Sequence, residues 1–170
     1  MLAFSGRSGV SKDTLRNLRE TGEAVLNTVS ENMIEAVNAT SVDAPHGVPE
    51  WVLSGLTKVP STTVKPARVR EAVFSIETKL LKIVDFDASE PSQNSYGCLA
   101  LLEATRFWVR EDAIDEQKRH IDLEKLRPVD QLGGIAYSRV TDTFKLPRSS
   151  WDRATKETPE VVKLRDDESL

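Results

Sequence analysis

Glu71-Ala72-Val73-Phe74-Ser75-Ile76-Glu77-Thr78-Lys79-Leu80-Leu81-Lys82-Ile83-Val84-Asp85-Phe86 is the longest strand candidate in the chain. Phe74, Ile76, Leu80, Val84 and Phe86 share one parity, and Glu77, Lys79 and Leu81 take the other. That is the period of two of a pleated strand. The pattern is interrupted at Thr78 and Lys82 and doubled at Leu80-Leu81, so the strand is expected to twist or carry a bulge. Residues 98–109 return as a second strand, where Leu99, Leu101, Phe107 and Val109 alternate with Cys98, Ala100, Leu102 and Trp108. Both faces carry apolar side chains, as in a strand of a closed or partner-covered barrel. Residues 87–97, with Pro91, Asn94 and Gly97, read as the polar hairpin loop between them.

Upstream, a short apolar run (Met1 to Phe4) passes into a Gly- and Ser-rich turn that opens a helix over 12–21. Ser11 suits its N-cap, Asp13 its first turn, and Gly22 its end. Ser5, Arg7, Ser8, Lys12 and Thr14 gather hydroxyls and cations around that start, where backbone N–H groups have no intrahelical partner. That is anion-binding chemistry, although the same residues also make an ordinary capped helix with a solvated basic rim. Residues 23–29 read as a strand, and Ser30 as the cap of a helix over 31–37 with Met33 as core filler. Asn38-Ala39-Thr40-Ser41 ends that helix, because such side chains bond back to their own backbone. Residues 43–50 are loop with His46 exposed, and 50–56 a brief helical turn ended by Gly55. Trp51 suits an anchor of that turn in the core. Pro60 and Pro66 keep 57–70 extended at the surface.

Downstream, 110–120 is a charged excursion, 121–126 one amphipathic turn closed by Pro128, and 137–146 a last strand. Residues 149–170 are mostly charged and are expected to form a tail with no regular structure. The chain has 170 residues, 39% of them hydrophobic and 29% charged, with a net charge of −4. Length and composition suit one soluble domain, and the strand pattern suits a mainly β fold, a small antiparallel barrel with helical insertions. The acidic balance argues against nucleic acid as a partner, and no apolar run is long enough for a membrane span. Cys98 is the only cysteine and reads as a buried hydrophobe, so no intrachain disulfide exists. With no leader-like apolar segment either, a reducing, cytoplasmic location is expected. His46 and His120 lack metal-ligand spacing, and no Ser-His-Asp set is recognisable, so no catalytic side chain is assigned.

Lys12-Asp13-Thr14-Leu15-Arg16-Asn17, then Asn38-Ala39-Thr40-Ser41, then Leu126-Arg127-Pro128-Val129 running into Leu132-Gly133-Gly134 and Tyr137, resemble the flavin reductase-like family, in the family's order. The resemblance implies an FMN-binding split β-barrel over residues 1–148, homodimerisation, and NAD(P)H-dependent flavin reduction. It places Ser5, Arg7, Lys12, Asp13 and Thr14 at the FMN phosphate and Asn38, Ala39 and Thr40 near the cofactor, and it gives Trp51 an alternative role at a cofactor edge. The Leu132-Gly133-Gly134 motif with Tyr137 would shape the barrel or the dimer edge.

The sequence also departs from the family pattern. Family members carry further strands before the position of Met1, so the barrel is expected to be N-terminally incomplete. Leu102 stands for an expected glycine, and Asp130-Gln131 for a small residue followed by a basic one. Micromolar FMN affinity needs about 8 kcal/mol. Phosphate contacts supply about 1.5–3 kcal/mol each and do not orient the ring. The expectation is weak FMN binding and slow turnover. A non-catalytic split barrel, serving dimerisation or flavin binding, is the alternative.

Overall fold

The computed structural model describes residues 1–7, 12–86 and 95–166. A four-stranded antiparallel sheet carries the fold, in the order β1-β6-β5-β2. Its members are β1 (Leu2–Arg7), β2 (Glu23–Asn27), β5 (Phe74–Phe86) and β6 (Ser95–Val109). Two small hairpins flank it: β3 (Lys58–Val59) with β4 (Arg68–Val69), and β7 (Val129–Gly133) with β8 (Ala136–Arg139). Helix α1 (Asp13–Thr21) joins β1 to β2, and α2 (Ile34–Ala39) and α3 (Trp51–Ser54) lie between β2 and β3. Helix α4 (Leu123–Leu126) precedes β7.

The long pair β5–β6 runs from Phe74 opposite Val109 to Phe86 opposite Gly97. Its register slips between Glu77 and Thr78 and again between Leu80 and Lys82, near the interruptions seen in the sequence. Each bulge adds local twist, and the sheet curls as half of a barrel. The turn expected at 87–97 falls mainly on 87–94, outside the described residues. Core side chains come from α1 (Leu15, Leu18), from Val73 and from β6 (Cys98, Ala100). Leu15 and Leu18 are three positions apart and share a helix face. Gly22 ends α1 at φ 68°, a left-handed conformation that favours glycine, and its N–H donates to Leu18 O.

The first bulge buries a charge. Glu77 has no solvent exposure, yet its carboxylate accepts four hydrogen bonds. Thr62 N–H donates at 2.9 Å, Thr63 N–H and Oγ1 at 2.6 Å each, and Trp108 Nε1 at 2.6 Å. Burial alone would raise its pKa, but the donors of Thr63, Thr62 and Trp108 outweigh it and hold the group at about 2. Thr105 Oγ1 donates to Glu77 O at 3.1 Å and meets Thr63 Oγ1 at 2.5 Å. Arg68 stacks on the Trp108 ring at 3.7 Å. The connection between β3 and β4 is thus pinned to the central hairpin.

Three sequence expectations change. Ser30 occupies an N-cap position, but of a 3-10 turn (Glu31–Met33), and its buried hydroxyl makes no cap bond and has no partner among the described residues. The strand expected over 137–146 ends at Arg139, because it pairs only with short β7 and then meets Asp142 and Pro147, both poor in strands. A compact unit closes at Val140, and Thr141–Leu170 forms a second. Within it, Trp151–Glu157 (α5) and Pro159–Asp166 (α6) are helical where a tail without regular structure was expected. Ser150 Oγ caps Arg153 N–H, and Arg153 pairs with Glu157 one turn on, which supplies the local stabilisation that composition did not reveal.

Glu77→Gln places an amide N–H₂ among donors and is expected to cost about 2–4 kcal/mol at pH 7, read from chemical denaturation. Because the folded carboxyl titrates at about 2, below its usual 4.5, its contribution is complete above pH 4.5 and is lost as pH falls toward 2. The stability gap between wild type and Glu77→Gln should therefore narrow over that window.

Candidate functional site

The start of α1 stands beside a cavity of about 410 Å³. Thr14, in the first turn of α1, forms one edge. Asn27 and Val29 contribute the exit of β2, and Met33, Val37 and Thr40 the 3-10 turn and α2. Glu50, Trp51 and Ser54 line it from α3 and its N-cap, with Leu56 and Val69 behind. Six of the eleven lining residues are aliphatic or aromatic and five are polar, and the volume lies in the range of small-molecule sites. Lys58 Nζ lies 5.2 Å from the Trp51 ring centre, a cation–π contact on the half-buried indole. Trp51 is half-buried and lines this cavity. Met33 is buried, as expected of core filler, and also faces this cavity.

Of the residues singled out in the sequence, Thr14 in the first turn of α1 and Thr40 at the C-cap of α2 come together on this lining. Lys12 holds the N-cap position of α1, its carbonyl accepting from Arg16 N–H at 3.0 Å. Asp13 follows in the first turn, and Ser11, the expected cap, lies outside the described residues. Ser5 is exposed in β1, paired with Gly97, and Arg7 ends that strand opposite Ser95. Asn38 and Ala39 form the last turn of α2 but are not among the residues lining the cavity. Thr40 Oγ1 donates to Val37 O at 2.7 Å and Ser41 Oγ to Asn38 O at 2.6 Å, the back-bonding expected to end the helix. Asn27, Val29, Val37, Glu50, Ser54, Leu56 and Val69 were not legible as site residues. They belong to separate segments, and only tertiary packing assembles them.

Glu31 ties the later motif to this region. Its carboxylate pairs with Arg127 at 2.6 Å and also with Arg139, and those two partners, Arg139 foremost, lower its pKa. Gly133 and Gly134 make the β7–β8 turn at φ 115° and 56°, which favour glycine, and Leu132 beside them is exposed. Among the described residues no group of three or more metal-ligating side chains gathers. No helix there is long and apolar enough to cross a membrane.

The profile of the flavin reductase-like domain matches residues 1–123. The chain belongs to that family. A protein of Halalkalibacterium halodurans is 34% identical over 142 residues, covering 82% of this chain and 65% of its own length. The structure of nitrilotriacetate monooxygenase component B from Bacillus cereus is similar at a TM-score of 0.72 and 28% identity, covering 85% of this chain and 70% of that one. The 2-nitrobenzoate 2-nitroreductase of Pseudomonas fluorescens follows at a TM-score of 0.69 and 28% identity, over 87% and 68% of the two chains. The fold is the split β-barrel of this family. The chain spans about two thirds of the length of the curated relatives it matches, from 60% to 72% among them.

Glu31→Ala should free the β7–β8 hairpin while leaving the main sheet intact. Amide exchange at residues 129–139 is expected to accelerate with no change at β5 and β6; unchanged exchange in the hairpin would contradict the tether.

Proposed function

We propose that this chain is an FMN-dependent oxidoreductase of the flavin reductase type, with the FMN phosphate at the start of α1 and the ring in the adjoining cavity. One observation carries the reading: Thr14, in the first turn of α1, lies with Thr40 on the lining of a cavity that has apolar walls. An anion site next to an apolar pocket fits a phosphorylated ring compound. Ser5, Arg7, Lys12, Asp13 and Thr14 would serve the phosphate side, Lys12 offsetting its charge and the Thr14 hydroxyl donating. Asn38, Ala39 and Thr40 would border the ring from α2. Membership of the family and likeness to a monooxygenase component and a nitroreductase support the same class.

The bound flavin would supply the redox chemistry, taking a hydride from NAD(P)H and passing electrons on, so the protein needs no acid–base pair of its own. The residues of this chain would bind, orient and desolvate. Trp51, Val29, Val37 and Leu56 would exclude water from one side of the ring, and the helix start would fix the opposite end of the ligand. Homodimerisation belongs to the proposal. Phe107 and Leu81 are 61% and 65% exposed on the central hairpin, and a second copy would cover them. Sedimentation of a monomer across the micromolar range would reject that part.

The direct test is titration with FMN followed by flavin fluorescence. Saturable binding is expected, weakened roughly tenfold or more by Lys12→Ala and by Thr14→Ala, since each removes a bond to a charged phosphate. Binding unchanged in both variants would move the phosphate away from α1, and no binding by wild type would overturn the flavin assignment. NAD(P)H oxidation with added FMN then tests turnover.

A further inference from the structure

Asn27 ends β2 at the cavity wall, and its side-chain amide is held in one orientation. Its Oδ1 accepts from Val69 N–H at 3.1 Å and from the buried Ser75 hydroxyl at 2.8 Å. A flipped amide would set its own N–H₂ against the Val69 N–H, donor against donor, so the oxygen must face β4. The amide nitrogen makes no hydrogen bond among the described residues, and Asn27 lines the cavity. The wall therefore presents a fixed donor pair.

The neighbouring polar groups are of a different kind. The hydroxyls of Thr40 and Ser54 give their protons to Val37 O and Trp51 O, which leaves acceptor capacity. Ser54 Oγ already accepts from Leu56 N–H at 3.2 Å. The Glu50 carboxylate, when ionised, only accepts. Thr14 is exposed at the mouth with a rotatable hydroxyl.

We infer that Asn27 is a specificity-determining residue of this cavity, selecting a ring ligand that turns a carbonyl oxygen toward the end of β2. The inference rests on the flavin reading above, under which the oxygen belongs to the dione edge of the ring. A ligand of the same shape without a carbonyl would leave the Asn27 donors dehydrated and unpaired, which is how a polar group in a pocket rejects a near-isostere.

Asn27→Asp is the discriminating variant. It keeps an oxygen for Val69 and Ser75 and replaces the N–H₂ group by a second acceptor of the same size. Wild type, Asn27→Asp and Asn27→Ala would be titrated with FMN, with lumichrome (a tricyclic dione without ribityl phosphate) and with acridine (a tricycle without carbonyls). Wild type is expected to prefer lumichrome over acridine by tenfold or more. Asn27→Asp should lose that preference and weaken FMN by a similar factor, while its ligand-free melting temperature stays near that of wild type. Asn27→Ala should lose both the preference and thermal stability, because the clamp to Val69 and Ser75 goes too. Equal FMN and lumichrome binding by wild type and Asn27→Asp overturns the inference and leaves the flavin reading standing. Failure of wild type to bind either dione overturns both.

Discussion

The structure depends on a buried charge whose hydrogen-bond partners are all neutral. Glu77 sits where β5 slips register against β6, and each of its four bonds comes from a backbone N–H, a hydroxyl or an indole. A carboxylate out of water is costly unless its lone pairs are filled, so the segment around Thr62 and Thr63 must fold over it. That requirement fixes the connection between β3 and β4 and, through it, Val69 on the cavity wall. Asn27 makes the matching clamp from the other side, joining β2 to Val69 and Ser75. One wall of the cavity is thus defined by polar bonds within the barrel, while the helical segments line it with both apolar and polar side chains.

The central hairpin was readable because its signal is local. Period two over 74–86 and 98–109 specifies paired strands, and the doubled Leu80-Leu81 announced a register shift that the structure contains. Gly22 and Gly55 were equally plain as helix ends, since both adopt positive φ. Glu77 was misleading in the sequence. Its parity grouped it with Lys79, which is exposed, yet the bulge turns both Glu77 and Thr78 inward. Ser30 has the right residue type for a cap, but the turn it opens is 3-10 and its hydroxyl is buried.

The candidate site was half legible. Thr14 and Thr40 were found because short motifs carry them. Asn27 was not, because within a strand reading it is one unremarkable polar residue. Its meaning lies in which end of the amide is already occupied, and that is set by Val69 and Ser75, 42 and 48 positions away. A pocket built from isolated contributions of several segments leaves no spacing pattern in any one of them.

The sheet order also sets a sequence of closure. The pair β5–β6 begins with Phe86 opposite Gly97, close together in sequence, whereas β1 must bring Leu2 to Ala100. Closing the longer loop costs about 2 kcal/mol more in chain entropy. Strand β1 is an edge of the sheet and pairs with β6, whereas α1 is anchored by Leu15 and Leu18 in the core. A molecule gripping both Thr14 and the cavity wall would tie the start of α1 to the end of β2, to α2 and α3, and to β4. Occupancy would then favour the folded chain, whose stability would rise with the concentration of whatever fills the cavity.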